Sequence, residues 1–133
     1  MKIIEYYPPN YEAICEAIPS VRDKKDVVFT YGDTIYNPYG GEIQDHLDLH
    51  ESTHERQQGA IGVEEWWNKY LSDKKFRLEQ EIEAYHIQYQ FVFKEYGRAV
   101  ATNFLREIAN DLSGGMYGNV LDRKQARKAI LKK

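Results

Sequence analysis

Only one stretch of this 133-residue chain reads as β-structure. Val27-Val28-Phe29-Thr30-Tyr31 and Thr34-Ile35-Tyr36 are β-branched and aromatic runs around a Gly32-Asp33 pair, the composition of a tight hairpin. Nearly everything else is written at helical spacing. Asn10 is a good N-cap for a short helix carrying Ile14, Cys15 and Ile18, which Pro19 ends. After the loop Asn37-Pro38-Tyr39-Gly40-Gly41, a helix is expected over 43–58, broken by Gly59-Ala60-Ile61-Gly62-Val63. A short helix with Trp66, Trp67 and Tyr70 follows. Asp73 then caps a long one reaching Tyr96, with Phe76, Ile82, Tyr85, Tyr89, Val92 and Phe93 at helical intervals. Gly97 interrupts, a further helix runs to Leu112, Ser113–Asn119 is a glycine-rich loop, and Asp122 caps the last helix.

This length makes one domain, 1–133, and 42% hydrophobic with 29% charged residues is a globular composition. A net charge of −3 argues against general nucleic-acid binding. The one hint the other way is the last helix, where Arg123, Lys124, Arg127, Lys128, Lys132 and Lys133 stand without an acid. A solvated helix face is the favoured reading of it. A single cysteine rules out an internal disulfide and every multi-cysteine metal site, and Cys15 reads as a small buried hydrophobe. No apolar run is long enough for a membrane span or a secretory leader, so no membrane association and a cytoplasmic location are expected.

The chemistry concentrates in His50-Glu51-Ser52-Thr53-His54, an H-E-x-x-H pattern inside an expected helix. Residues four apart share a helix face, so two neutral imidazoles can grip one ion, zinc above all. Glu51, one position past His50, falls beside the ion, where a carboxylate can take a proton from water. His46 completes an i, i+4, i+8 series, but successive turns spread such rings over ~12 Å along the axis, too far for one ion. His46 is therefore expected to support the site or pack, and His86 is weaker still as a ligand.

A third ligand is expected from Glu79-Gln80-Glu81-Ile82-Glu83-Ala84 on the long helix. Glu81 shares a side with Tyr85, Gln88 and Val92, next to the small Ala84 that lets another helix come close. Glu81 is favoured on that ground, ahead of Glu83 and then Glu79.

His50-Glu51-x-x-His54 followed by Glu81-Ile82-Glu83-Ala84-Tyr85 resembles the gluzincin metallopeptidases, in which a helix bearing H-E-x-x-H packs on a second helix bearing a glutamate ligand. The nearest likeness is to the minimal, single-domain minigluzincins and to small zincin-like proteins of phage and prophage origin. It runs through Thr30–Pro38, Gln57-Gln58, Trp66-Trp67 and the Ser113–Asn119 loop. The resemblance implies a zincin-like α+β fold, mostly helical, with the small β-hairpin packed on the active-site helix. It implies zinc held by His50, His54 and Glu81, Glu51 as general base, and a peptide or protein substrate lying along the hairpin edge. One departure stands out. The family places an aspartate four residues after the glutamate ligand to orient a histidine; here that position is Tyr85, an uncharged phenol, so the orienting group is expected to be weaker or supplied elsewhere, for example by Asp45 or Asp48. For the oxyanion of the tetrahedral intermediate, Tyr117 in the glycine-rich loop is the candidate, with Tyr31 and Tyr36 as rivals. The alternative is a zincin-fold structural or interaction protein of phage type with little turnover.

Overall fold

Gly32 can take the positive φ of 63° that opens a two-residue turn, and the hairpin forms there as the composition demands. The computed structural model describes residues 1–132. In it β2 (Phe29–Tyr31) runs antiparallel to β3 (Thr34–Tyr36), with Thr30 opposite Ile35. A third strand, β1 (Lys2–Ile4), adds to the other side of β3 in parallel, Ile3 opposite Ile35, giving the order β1-β3-β2. Sequence reading missed β1. Its residues are exposed, so they carry no alternation, and its pairing partner lies some thirty positions away.

The remaining elements are helical. They comprise α1 (Tyr11–Ala17), a 3-10 turn (Pro19–Asp23), α2 (Asp45–Ile61), α3 (Val63–Ser72), α4 (Lys74–Tyr96), α5 (Arg98–Leu112), a 3-10 turn (Gly115–Tyr117) and α6 (Arg123–Lys132). The expected mostly helical α+β class is what forms. Asp73 caps α4 by accepting from the amides of Lys75 and Phe76. Asp122 and Gln125 exchange side-chain-to-amide bonds of 2.8 and 2.9 Å at the start of α6, a capping box with glutamine as the return partner.

Two details depart from expectation. Asn10 precedes α1 but does not cap it: its side-chain oxygen and nitrogen are both buried without a partner. Gly59, Ala60 and Ile61 do not break α2, which stays helical until Gly62 turns to a φ of 98°. One glycine inside a helix lowers its stability without ending it; a left-handed one after the last turn does end it.

The apolar interior is divided. One core gathers Ile14, Cys15, Ile18, Val21 and Phe29 against Trp66, Trp67 and Tyr70. The other joins Leu78, Leu105, Ile108 and Leu112 to Tyr117, Ala126 and Ile130. Cys15 packs as the small hydrophobe expected of it. Met116 touches both cores, and α2 passes between the sheet and α4. No helix among the described residues is long and apolar enough to cross a membrane.

Candidate metal centre

Alternation around a helix puts His50 and His54 on the face of α2 that meets α4. Ala84 on α4 has no exposed surface, so the two backbones come close at that level. Glu81, one turn earlier on α4, reaches into the gap. Its Oε1 lies 3.1 Å from His50 Nε2, its Oε2 lies 3.3 Å from His54 Nε2, and the two Nε2 atoms are 3.2 Å apart. Ligand bonds of ~2.0 Å to one tetrahedral centre would set neighbouring ligand atoms ~3.3 Å apart; the two Nε2 atoms stand at that spacing, and the Glu81 carboxylate faces each of them with a different oxygen at a similar distance. His50, Glu51 and His54 form a buried group able to hold a metal ion, their donor atoms all within 4.8 Å of one another. Glu81 comes nearer to both imidazoles than Glu51, whose Oε2 is 3.8 Å from His50 Nε2.

The hydrogen bonds behind the rings fix which nitrogens are free. Gln57 Nε2 donates to the Gln80 carbonyl and to Glu83, which turns its Oε1 toward His54 Nδ1 at 2.8 Å. Gln88 Nε2 donates to His46 Nδ1, which turns its Oε1 toward His50 Nδ1, also at 2.8 Å. Facing an oxygen, each Nδ1 must carry the proton, and each Nε2 is left with a lone pair aimed into the gap. Two lone pairs and a carboxylate at this range repel unless a cation lies among them. A proton can fill that place, and a divalent ion entering it would have to displace that proton. The titration reflects this. Burial opposes charge on His54, yet the Glu81 carboxylate overrides it and holds the imidazole up at about 9. Burial likewise works against charge on Glu81, but His54 and His50 hold its carboxyl well below the usual range.

Glu51 is placed differently. Its Oε1 accepts from the Thr30 hydroxyl at 2.8 Å, which anchors it to β2, and its other oxygen faces His50. Burial raises its carboxyl above the ordinary range, against the pull of both imidazoles. A carboxylate tuned toward neutrality suits proton transfer.

Three phenols surround the carboxylate of Glu81. Tyr70 donates to its Oε2 at 2.6 Å. Tyr85 packs edge-on against the His50 ring at 4.7 Å, and Tyr85 and Tyr117 line the same cleft. Burial, followed by the Glu81 charge, pushes all three hydroxyls above their usual range, so they remain donors. The cluster forms the floor of a cleft of about 580 Å³. Val28 and Trp67 wall it on one side, and Asp111, Gly115 and Tyr117 on the other.

His50, Glu51, His54, Glu81 and Tyr117 therefore converge on one cleft. Glu79 points to solvent, and Glu83 serves Gln57 and Arg56 rather than the gap. His46 supports His50 through Gln88, and His86 bonds the Ile130 carbonyl, tying α4 to α6. Tyr31 and Tyr36 do not line the cleft; they pack on the first core. The orienting groups on the imidazoles are the amides of Gln57 and Gln88, not Asp45 or Asp48. Helical spacing could have found both: Gln57 lies three residues past His54, and Gln88 lies two turns past Glu81. Thr30 and Tyr70 come from other elements, and no spacing rule points to them; Arg77 lies one turn before Glu81 on the same face of α4. No family model, curated protein or solved structure matches this chain.

Proposed function

We propose that the chain is a zinc-dependent peptidase with a zincin-like arrangement, in which His50, His54 and Glu81 hold the metal and Glu51 is the general base. The observation that carries the reading is the convergence of two Nε2 atoms and a carboxylate at 3.1–3.3 Å, with a second, separately anchored carboxylate beside them on an open cleft. The donor set, two imidazoles and one carboxylate, is one that leaves zinc a position for water or substrate. Zinc bound there supplies Lewis acidity and makes water acidic enough to ionise near neutral pH.

The chain's own residues do the rest. Thr30 keeps Glu51 oriented, so that its free oxygen receives the proton from water and returns it to the departing amine. Burial keeps the Tyr117 phenol protonated, and it lines the cleft, so its hydroxyl can donate to the developing oxyanion. An extended peptide or protein segment lies in the cleft beside β2, one of the two edge strands of the sheet. That edge is partly occupied: the Thr30 carbonyl already accepts from Gln58 Nε2 at 2.8 Å and Trp67 Nε1 at 3.1 Å, and Gln58 also holds the Gly32 amide. Strand addition is thus confined to the Val28 side.

A second reading, a zincin-fold structural or interaction protein that keeps the metal with little turnover, is favoured by the neutral amides behind both imidazoles where carboxylates would sharpen the ligands. Metal analysis and peptide cleavage separate the two. Purified protein should hold one zinc per chain. Glu51→Gln should retain it while cleavage of an unstructured peptide mixture falls by about 10²–10⁴. Loss of zinc in that variant makes Glu51 a ligand; wild type that holds zinc but cleaves nothing supports the second reading.

A further inference from the structure

Glu81 has two carboxylate oxygens within reach of the same point, and nothing in its own helix decides how many of them a metal would take. The decision lies in Tyr70. Its hydroxyl donates to Glu81 Oε2 at 2.6 Å, in the range of the short bonds that hydroxyls make to charged carboxylates. Tyr70 cannot follow the carboxylate if it turns, because it is held at ring and backbone. The ring stacks on Trp66, centroids 4.8 Å apart and planes 23° from parallel. The Arg77 guanidinium sits 5.5 Å from its centroid. Arg77 Nε also donates to the Tyr70 carbonyl at 2.8 Å, while its other nitrogens hold the carbonyls of Leu71 and Met116. Arg77 is itself buried, and those three carbonyls are its hydrogen-bond partners.

We propose that Tyr70 is a positioning residue that retains Glu81 Oε2, so that Glu81 offers the metal one oxygen and a coordination position stays open for water or substrate. The inference rests on the metal-binding reading above and adds to it what keeps the site open. Open coordination is what separates a catalytic zinc from a structural one. Arg77 extends the same control to the opposite wall, since the Met116 carbonyl it holds is adjacent to Tyr117.

The test uses cobalt(II) in the full chain, because its visible absorption is intense in four-coordinate sites and weakens when a fifth ligand enters. Tyr70→Phe preserves the ring and its stacking on Trp66 and Arg77, so far-ultraviolet circular dichroism of the metal-free protein should be unchanged. The variant should bind cobalt about 10-fold more weakly and show a weaker, shifted visible band as the freed oxygen joins the ion. The same substitution added to Glu81→Ala should cost no further affinity, because Tyr70 acts only through Glu81. Equal bands and affinities in wild type and Tyr70→Phe would overturn the proposal, as would an equal loss in both backgrounds, which marks a merely structural role. Wild type that binds neither cobalt nor zinc overturns the metal reading itself, an outcome distinct from either.

Discussion

α2 and α6 bury opposite kinds of surface. The buried positions of α6 are Ala126 and Ile130, and its cations stand in solvent. Every buried position of α2 is polar: His50, Glu51, Thr53, His54, Gln57 and Gln58. An amphipathic helix such as α6 is held by the apolar area it removes from water. α2 gains little of that and instead takes on the cost of desolvating two imidazoles, a carboxylate and two amides, a cost that must be offset by hydrogen bonds. The offset is almost complete. Thr53 bonds back to the Leu49 carbonyl, Gln58 holds β2, and Gln57, Gln88, Thr30 and Tyr70 take up the rest. What stays unresolved is the gap among His50, His54 and Glu81, where only a cation satisfies all three. A helix selected for stability would resemble α6; α2 is built around that gap.

The contrast is broken most severely by exchanging the two helices' roles in a pair of alanine variants. His54→Ala removes one ligand of the proposed centre, and zinc affinity, read by competition with a chromophoric chelator, should fall by about 10³-fold or more. Ile130→Ala leaves a cavity in the second core and should lower unfolding stability by about 2–5 kcal/mol while zinc affinity stays within about twofold. Should Ile130→Ala cost as much zinc affinity as His54→Ala, the division between a stabilising and a metal-holding helix is wrong.

Much of this division was legible beforehand. The H-E-x-x-H spacing brought out His50 and His54, and helical spacing with the small Ala84 ranked Glu81 ahead of Glu83 and Glu79 without deciding among them. The cap of α4 and the hairpin turn were equally readable, being local chemistry at Asp73 and Gly32. What escaped is non-local. β1 exists only because Ile3 finds Ile35, and the anchors of the site, Thr30 on Glu51 and Tyr70 on Glu81, join elements whose approach no periodicity encodes. The orienting amides were missed for another reason: a carboxylate was expected behind the imidazoles, and Gln57 and Gln88 do the same work without charge.

A smaller effect comes from protons. His54 is raised from 6.5 to about 9 in the folded, metal-free protein. A raised pKa contributes stability that is fully present below the unfolded value and lost as pH climbs through the folded one. Metal-free protein should therefore lose stability between about pH 6.5 and 9, measured by urea unfolding. Zinc competes for the same site, so its apparent affinity should move the opposite way, rising up to tenfold per pH unit across that window and levelling above it. Affinity flat over that range would mean that no proton occupies the gap and that the lone pairs are arranged otherwise.

The smallest expected change sharpens the comparison at the orienting groups. Gln88 bonds His50 on one side and His46 on the other, and His46 in turn bonds Gln44 at the start of α2. Gln88→Leu keeps the volume roughly but removes the acceptor from His50 Nδ1, so the ring loses both its orientation and its fixed tautomer. Zinc affinity should drop about 10-fold, the lower end for orienting partners, because a neutral amide polarises the ring less than a carboxylate. Gln88→Glu tests the sign. A carboxylate there strengthens His50 as a ligand, and His46 can present a proton from its own Nδ1 to meet the charge, so affinity should hold or rise. A loss in the glutamate variant equal to that in leucine would show that burial cost, not ligand polarisation, governs this side of the centre, and that the all-polar face of α2 already carries as much charge as its surroundings can hold.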